Sequence, residues 1–569
     1  MLAHTRLDSS ADVTLSPQEV SPPDTPEAQA DTNARVARAT GVLALGNIAS
    51  RILGMAREVV VTNLFGATFA ADAYYLATIV PRTLYDLLIA GHVNSAIIPV
   101  LSEYRAREGV DALWRLVAIL FSLVTAILAA LVLLLTLLAE PTVRLVGSGY
   151  DAQTINLAAH LLRLTSPALL FLGWFSIISG GLYALHRFSL PAFAGVTFNG
   201  AIVLVTLLLT PGYQVQTTLS GTGVMWAVSR PPDAIQAAAL GWLVGAFAQF
   251  ALQLPGMRRA HLRFDFNWRH PAIRQIAILY APVMFSLLMD TLIVRTFSYN
   301  LASQTGEGSL GYMNWATTLI QFPQGLVATA ISIAILPTLA QQAVTHLDDL
   351  APFKNTLGLG LRLAITLIVP ATVGLFVLAT PIVRLLFEHG EFTPTATGMT
   401  TLALRLYLIG LPFAALDLLL VYAFYARQDT LTPALIGFMS LVVYMIVAIV
   451  LLPTYGLFSL MIADSVKHFV HALTSAWLLS RRMNGFGSQR LLITLLKTGA
   501  AALALGVVAQ IGEPVLESLI GTDGTLREAV LVTSIGALSG AAFIVVAVLV
   551  RVEELGWLWG LLRARLRRS

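Results

Sequence analysis

Apolar residues run along this chain in stretches of about twenty, long enough to cross a bilayer as helices. Fourteen are predicted, near 40–64, 72–101, 112–139, 153–185, 190–210, 236–254, 272–302, 311–342, 357–380, 395–427, 431–452, 455–480, 490–512 and 527–551. An even count puts both ends on one side, and the arginines choose it. Arg35 and Arg38 precede the first span. Alternate connections then hold Arg105 and Arg107; Arg187; Arg258, Arg259, Arg263 and Arg269; Lys354; Arg427; and Arg481, Arg482 and Arg490. Arg563, Arg565, Arg567 and Arg568 lie at the C-terminal end, whereas the opposite connections carry only Arg144, Arg230, Arg384 and Arg527. The pattern predicts an all-α multi-pass protein of the cytoplasmic (inner) membrane with both termini in the cytoplasm. Residues 1–34 are polar, rich in Pro, Ser, Thr and Asp, and lack an apolar core. They read as a disordered tail and not as a signal peptide.

Composition agrees. Of 569 residues 57% are hydrophobic and 12% charged, with mean hydropathy +0.77, against roughly 25% charged in soluble domains. Without cysteine there is no disulfide or thiol chemistry. No GxxxxGK[ST] loop is present, which argues against ATP hydrolysis and an enzymatic role, and nothing points to nucleic acid.

The charges inside the spans carry more information. Arg51, Arg57 and Glu58 sit in the first span, and Arg82 and Asp86 in the second. A charge at membrane depth is costly and usually faces a cavity or a partner, so these arginines predict a cationic cavity and an anionic cargo. Arg51 and Arg57 are about 600° apart at roughly 100° per residue, and so do not share one narrow stripe. One is expected to face the cavity and the other to hold a neighbouring helix. The alternative is a structural group of Arg57, Glu58 and Asp72. Asp86, one turn after Arg82, is placed to neutralise it. Asp290 and Arg295 in the seventh span are candidates for a cation site or a structural pair. Asp464 and Lys467, three apart in the twelfth span, suggest a local pair. His468 and His471 on the same helix read as a satisfied polar patch, with a proton relay as the alternative.

The chain also repeats itself. SAIIPVLSEY (95–104) resembles IAILPTLAQQ (333–342), PTVRLV (141–146) resembles PIVRLL (381–386), LLRL (161–164) resembles ALRL (403–406), and ALHRFSLP (184–191) resembles ARQDTLTP (426–433). All four fall in one order at offsets of 238 to 242. Six spans per copy give parallel halves, an N-lobe at 35–255 and a C-lobe at 256–482, with 483–569 an addition of two spans and a basic end. Repeated halves around a central site are a common transporter design. Arg163 and Arg405 take equivalent places and are expected to pair at a helix end or with backbone carbonyls. Gly390 is expected in a turn, and Asp429 to Pro433 at the start of the eleventh span.

ASRILGMAREVVVTNLFGATFAADAYYLA (49–77), GHVNSAIIPVLSEY (91–104), FPQGLVATAISIAILPTLA (322–340), RLLFEHGEFTPTAT (384–397) and YAFYARQDTLTPA (422–434) are similar to the MurJ (MviN) family of the MOP transporter superfamily. The resemblance implies two six-helix lobes around a cationic cavity, and an extra helix pair forming a groove for a lipid tail. It implies flipping of lipid II, an undecaprenyl-pyrophosphate-linked peptidoglycan precursor, from the inner to the outer leaflet by alternating access. Arg51, Arg57, Glu58 and Asp72 match the family's first-helix arginines and their acidic neighbours. Arg82 stands where the family usually has Asn, Tyr85 and Asp86 where it has an arginine pair, and Thr317 and Thr318 where it reads Asp-Arg. Two cavity arginines are therefore absent, and Arg82 stands in for one of them. Arginine forks suit a pyrophosphate bidentately.

The substrate-binding set so predicted is Arg51, Arg57, Arg82, Glu58 and Asp72, with Asp290, Arg295, Asp464 and Lys467 as cation or structural charge sites. No cofactor is expected. The drive is a monovalent cation, Na+ or H+, or the membrane potential. The partners are the undecaprenyl-linked glycolipid, membrane lipids and the cell-wall synthesis machinery, with the chain a monomer. Three alternatives remain open: a flippase for another polyprenyl-linked oligosaccharide such as a capsule unit, a non-transporting scaffold of the same fold, and a cation-coupled small-molecule exporter, which fits poorly with fourteen spans.

Overall fold

Every apolar stretch picked out above meets a helix in the computed structural model, which describes residues 26–87, 97–212, 214–220, 223–229, 231–258, 264–278, 288–345, 349–483, 485–521 and 524–557. Expectations for residues 1–25, 91–96 and 563–568 lie outside the described residues. The first half comprises α1 (Pro26–Phe65), α2 (Phe69–Tyr85), α3 (Ile98–Glu108), α4 (Val110–Leu137), α5 (Ala139–Val146), α6 (Ala152–Thr165), α7 (Ala168–Ala184), α8 (Ser189–Ala192), α9 (Ala194–Leu209) and α10 (Gln236–Ala251). The second half begins with α11, described over 271–278, and α12 (Arg295–Ser303), which follows a π-helical segment, Leu288–Val294. Next come α13 (Ser309–Pro323) and α14 (Ala330–Thr345), joined by a second π-helical segment, Gln324–Thr329. It continues with α15 (Ala351–Val377), α16 (Ala379–Phe387), α17 (Pro394–Ala426), α18 (Leu431–Tyr455) and α19 (Phe458–Arg482). The added pair is α20 (Leu491–Ile520) and α21 (Thr525–Leu549).

Among the described residues, eight helices are long and apolar enough to cross a membrane, and nine if α6 and α7 make one span. The remaining expected spans fall on helices that are shorter or carry charges. Residues such as Leu503, Leu519, Leu526 and Leu549 stay exposed on α20 and α21, the apolar outer surface that a lipid solvent favours.

Three expectations need correction. Residues 26–34 are not part of the disordered tail: α1 starts at Pro26, because Pro suits a first turn and Glu27, Ala28, Gln29 and Ala30 are strong helix formers. The chain is not purely α. Between α9 and α10, β1 (Gln214–Ser220) pairs antiparallel with β2 (Gly223–Ser229), with Thr217 opposite Trp226, and the valines, threonines and Trp226 favour a pleated surface. The span at 153–185 is broken into α6 and α7, which meet at 40°, because Pro167 lacks the N–H that a continuous helix would use.

Within the first half α1 packs on α9, α9 on α10, α10 on α7, α7 on α4 and α2 on α6. Within the second, α13, α15 and α19 all pack on α17, and α18 packs on α19. The repeat is visible in hydrogen bonds. Arg163 Nε donates to the Thr136 carbonyl (3.3 Å), and Arg405 Nε to that of Phe376 (3.1 Å), donors 242 and acceptors 240 residues apart. Both arginines take up a carbonyl left open at a helix end, as expected.

The halves are fastened at the end away from the arginine-rich connections. Asp72 on α2 accepts the backbone N–H groups of Gly308 (2.6 Å), Leu310 (3.1 Å) and Gly311 (3.3 Å), capping α13. Glu307 in turn accepts the Phe69 N–H (2.7 Å) that starts α2. The connection after α5 meets α12 through Asn300 Nδ2 to the Leu145 carbonyl (3.0 Å) and Gly149 N to Ser303 Oγ (3.0 Å). The connection after α16 meets the end of α1 through Glu391 N to the Asn63 carbonyl (2.9 Å). Gly390 is required there, with φ +62° and the Asn63 carbonyl oxygen 2.2 Å from where a Cβ would sit. The added helices attach to α15, where Arg362 bonds Glu554 (2.8 Å) and the Gln489 carbonyl (2.9 Å).

At the opposite end Asp429 Oδ1 accepts the Thr432 N–H (2.9 Å), as the motif suggested, and Arg482 pairs with its other oxygen. Burial works against ionisation of Asp429, but the Thr432 and Arg482 hydrogen bonds outweigh it and hold the carboxyl down to about 2. A group depressed in the folded state stabilises above its unfolded pKa and loses that effect as pH falls through the folded one. Asp429→Ala should therefore lower stability by about 1 kcal/mol at neutral pH. The gap from wild type, followed by thermal unfolding in detergent, should be full above pH ~4 and close toward pH ~2.

Candidate functional site

A cavity of about 420 Å³ lies between the halves, on the arginine-rich side of the sealed end. Its charged lining comes from α1 and α2: Arg51, Arg57, Glu58, Arg82 and Asp86. The second half contributes Asn314, Thr317, Thr318, Gln321 and Phe322, all neutral. At 1.5 Å per residue, Arg57 sits roughly 12 Å from the end of α1 and Arg51 and Arg82 roughly 20 Å from the sealed ends of their helices. A smaller space of about 40 Å³ runs deeper and shares Arg57, Glu58, Arg82 and Asn314.

Arg51 and Arg57 both border the cavity, so the expected division between cavity and neighbouring helix is replaced by two different tethers. Arg51 donates from Nη1 to the Gln321 carbonyl on α13 (2.9 Å). Gly325 leaves the room, since a Cβ there would lie 2.5 Å from the guanidinium. Arg57 grips its neighbour Glu58 (Nη2 to Oε1, 2.6 Å) and Asn199 Oδ1 on α9 (3.1 Å). Glu58 also accepts the Tyr75 hydroxyl (2.7 Å), which accepts the Trp315 indole N–H (2.7 Å). This buried relay holds one guanidinium in place at the cavity wall. It joins α1 and α2 to α13.

Asp72 belongs elsewhere. It is fully buried at the sealed end, lines neither space, and is occupied by the start of α13. Its assignment to substrate is corrected: a carboxylate at a helix N-terminus satisfies backbone donors and the helix dipole. Nor does it join Arg57 and Glu58. Asp86 does not neutralise Arg82 by contact. It accepts Arg295 Nη1 from α12 (2.7 Å), because the i, i+4 partner competes with a cation across the interface. Arg295 is thus a structural partner, and the side chain of Asp290 lies outside the described residues. Arg82 is left exposed in the cavity with no hydrogen-bond partner among the described residues. Tyr85 and Thr318, where the family resemblance leads one to look for arginines, do line the cavity. Tyr85 is bonded to Ser176 (2.8 Å) and Thr318 to the Asn314 carbonyl (2.9 Å).

Asp464 and Lys467 form the local pair that their spacing suggested, at 2.6 Å, with His468 3.7 Å from the same carboxylate. Charge guided the sequence reading, so it passed over Asn199, Tyr75 and Trp315. A lone Asn in the apolar run of α9 was the available signal.

The arrangement suits an oxyanion. Arg82 offers a fork with no hydrogen-bond partner among the described residues, Arg51 a partly used one, and the amides and hydroxyls opposite can accept or donate. Similarity to known proteins narrows the class. The fold matches a lipid II flippase MurJ in an inward closed conformation with a TM-score of 0.70 and 23% identity, over 88% of this chain and 97% of that one. It also matches an inward-facing multidrug resistance MATE family transporter of the MOP superfamily, with a TM-score of 0.61 and 15% identity, over 77% and 96%. The protein has the fold of a MOP-superfamily membrane transporter. A family model described as lipid II flippase MurJ matches residues 61–521. The lipid II flippase MurJ of Burkholderia cenocepacia is 32% identical over 72% of this chain and 76% of its own length. A probable lipid II flippase MurJ of Vibrio cholerae is 29% identical over 81% and 87%. The chain belongs to the lipid II flippase MurJ family.

The Glu58 relay predicts an order of damage. Glu58→Ala strands Arg57 and should cost about 3–5 kcal/mol, as for a broken buried pair. Tyr75→Phe removes one hydrogen bond and should cost about 1–2 kcal/mol. Thermal unfolding in detergent should rank wild type above Tyr75→Phe above Glu58→Ala; the reverse order would refute the relay.

Proposed function

We propose that this protein flips lipid II from the inner to the outer leaflet of the cytoplasmic membrane, with the pyrophosphate held by Arg82 and Arg51 in the central cavity. The observation that carries the reading is the Arg82 guanidinium, without a hydrogen-bond partner among the described residues, in a cavity that Arg51 also lines and that is sealed at one end. Membership of the MurJ family supports the cargo. In this reading fourteen spans form two six-helix lobes and an added pair, and the arginine-rich connections and both termini lie in the cytoplasm. The headgroup enters from the cytoplasmic side while the polyprenyl tail stays in lipid along the groove of α15, α20 and α21. The lobes then rock about the sealed end, parting it as the other side closes. The chain works as a monomer beside the cell-wall synthesis machinery, driven by H+, Na+ or the membrane potential.

A second reading has one observation in its favour. Tyr85 and Thr318 make the cavity less cationic than the family pattern implies, which suits a polyprenyl-linked oligosaccharide of another kind. Expression in a bacterium depleted of its own lipid II flippase decides between them. An externally added enzyme that cleaves lipid II reports what reaches the outer leaflet. Rescue of growth and of cleavable lipid II is expected. Each of Arg51→Ala and Arg82→Ala should lower the rate about 10- to 100-fold, the worth of a charge-assisted hydrogen bond of roughly 1.5–3 kcal/mol. A correctly inserted protein that restores neither growth nor cleavage would exclude lipid II.

A further inference from the structure

The least expected group of ionisable side chains lies away from the cavity, at the junction of α17, α18 and α19. Asp417 Oδ1 on α17 is hydrogen-bonded to His471 Nδ1 on α19. Ser475 Oγ stands between them, 3.5 Å from Asp417 Oδ1 and 3.4 Å from His471 Nδ1. The side chains are only 15% and 13% exposed. His471 Nε2 faces the bare Cα of Gly437 on α18, where an added Cβ would be 3.7 Å away. Both residues are deep in their helices, Asp417 nine residues from the end of α17 and His471 eleven from the end of α19, or roughly 14–17 Å at 1.5 Å per residue.

Most of the surrounding charges are matched elsewhere, though His468 on α19 lies within electrostatic reach of both Asp417 and His471. On α19 itself Asp464 is already matched by Lys467 at 2.6 Å, with His468 beside it. From α18 the ionisable neighbour is Tyr444, over whose ring the Lys467 ammonium lies. From α17 come Tyr407 and Tyr425, neutral at physiological pH. Of the other helices packed on α17, α13 and α14 hold no charged side chain. On α15, Arg362 is bound to Glu554 and Lys354 lies in the first turn. On α16, Arg384 faces Glu517. Among the described residues no lysine or arginine is within 4 Å of Asp417. Its charge at membrane depth is therefore answered, among the described residues, at contact distance by an imidazole, a group that can take up or give up a proton, with His468 at longer range.

We propose that Asp417 and His471 form a proton-binding site through which proton movement into the cell is coupled to outward movement of the cargo. The proposal rests on the transport reading above. The step is a simple transfer. A proton from the external side binds the imidazole, giving an imidazolium held by the Asp417 carboxylate, a pair of zero net charge. Release to the cytoplasmic side restores neutral imidazole and leaves a net charge of −1 at the junction. No other group is made or broken. The two states differ in what holds α17 to α19, and α17 and α18 carry contacts onward, one toward the cavity wall and one to α12. Tyr407 on α17 lies close to Thr317, which lines the cavity. Tyr444 on α18 bonds Ser298 on α12 (2.7 Å), the helix whose Arg295 grips Asp86 of the first half. Pro412, five residues before Asp417, gives α17 a place to bend.

The test uses the full chain in liposomes holding lipid II and a luminal pH dye, with a pH gradient imposed in either direction. In the wild type, acid on the external face should raise the initial rate of lipid II exposure several-fold, with proton uptake that depends on lipid II. Asp417→Asn and His471→Gln should each remove both the gradient response and the lipid-dependent proton flux. Wild-type flipping that ignores the gradient would overturn the proton site and leave the lipid II reading standing. Lipid-dependent proton flux undiminished in both variants would overturn it as well. Lipid-independent proton flux lost in both variants, without any flipping of lipid II, would keep the site and overturn the cargo. Independently of folding yield or cargo, ¹⁵N-imidazole NMR in nanodiscs should show the His471 signal, identified by its loss in His471→Gln, responding to pH across roughly 5 to 9, with the response altered in Asp417→Asn. A His471 locked in one state across that range would sink the proposal.

Discussion

A bilayer has no water to satisfy a buried charge, and this single constraint orders the polar interior of the protein. Arg57 is answered by Glu58, Arg295 by Asp86, Lys467 by Asp464 and Arg362 by Glu554. Arg163 and Arg405 are answered by helix-end carbonyls. Against that background the groups without such an answer stand out on physical grounds. Arg82 faces open cavity, and Asp417 leans on a histidine. One is placed to meet a ligand's charge and the other to change its own.

Duplication explains how the sealed end is built. Each half begins with a helix pair whose second helix needs a cap, and each cap comes from the other half: Asp72 for α13, Glu307 for α2. The connections after α5 and α16, 242 residues apart at Gly149 and Glu391, grip the ends of α12 and α1 in the same exchanged sense. These bonds are short and mostly to backbone, and they set the register of an interface that also buries apolar side chains: Phe65, Tyr75 and Leu76 of the first half share one cluster with Leu310, Trp315 and Phe387 of the second.

What the sequence made legible is what is local or compositional. Span length, the arginine asymmetry, the 240-residue repeat, the Lys467–Asp464 pair and the Asp429 cap all follow from neighbours in the chain or from periodicity. The contacts that place Asp72, Asp86 and Asp417 could not be read that way. Their partners lie 236, 209 and 54 residues away, and for Asp72 the partner is backbone, which leaves no trace in residue type. Charge at membrane depth found Asp72 and Asp86 as candidates but could not tell a cap or an interhelical pair from a ligand contact. His471 was visible and its partner was not. The break at Pro167 and the hairpin at 214–229 had local signals, a proline and alternating β-formers, which the long apolar runs around them outweighed.

The cavity is electrically lopsided, and this bears on how transport proceeds. All its arginines belong to α1 and α2, while α13 offers only amides, hydroxyls and Phe322. An anionic headgroup would be held by the first half and merely accompanied by the second. Arg51 is the exception that crosses: its bond to the Gln321 carbonyl joins the halves on the cavity side. Rocking the halves apart about the sealed end would stretch that bond, and closing them would restore it. Headgroup oxygens held at Arg51 would compete with Gln321 for the same guanidinium, so binding there would weaken a contact between the halves. A ligand shifts an equilibrium only through a difference in its contacts between the two states. With the cargo held at Arg51 as proposed, that arginine is where the geometry would supply one.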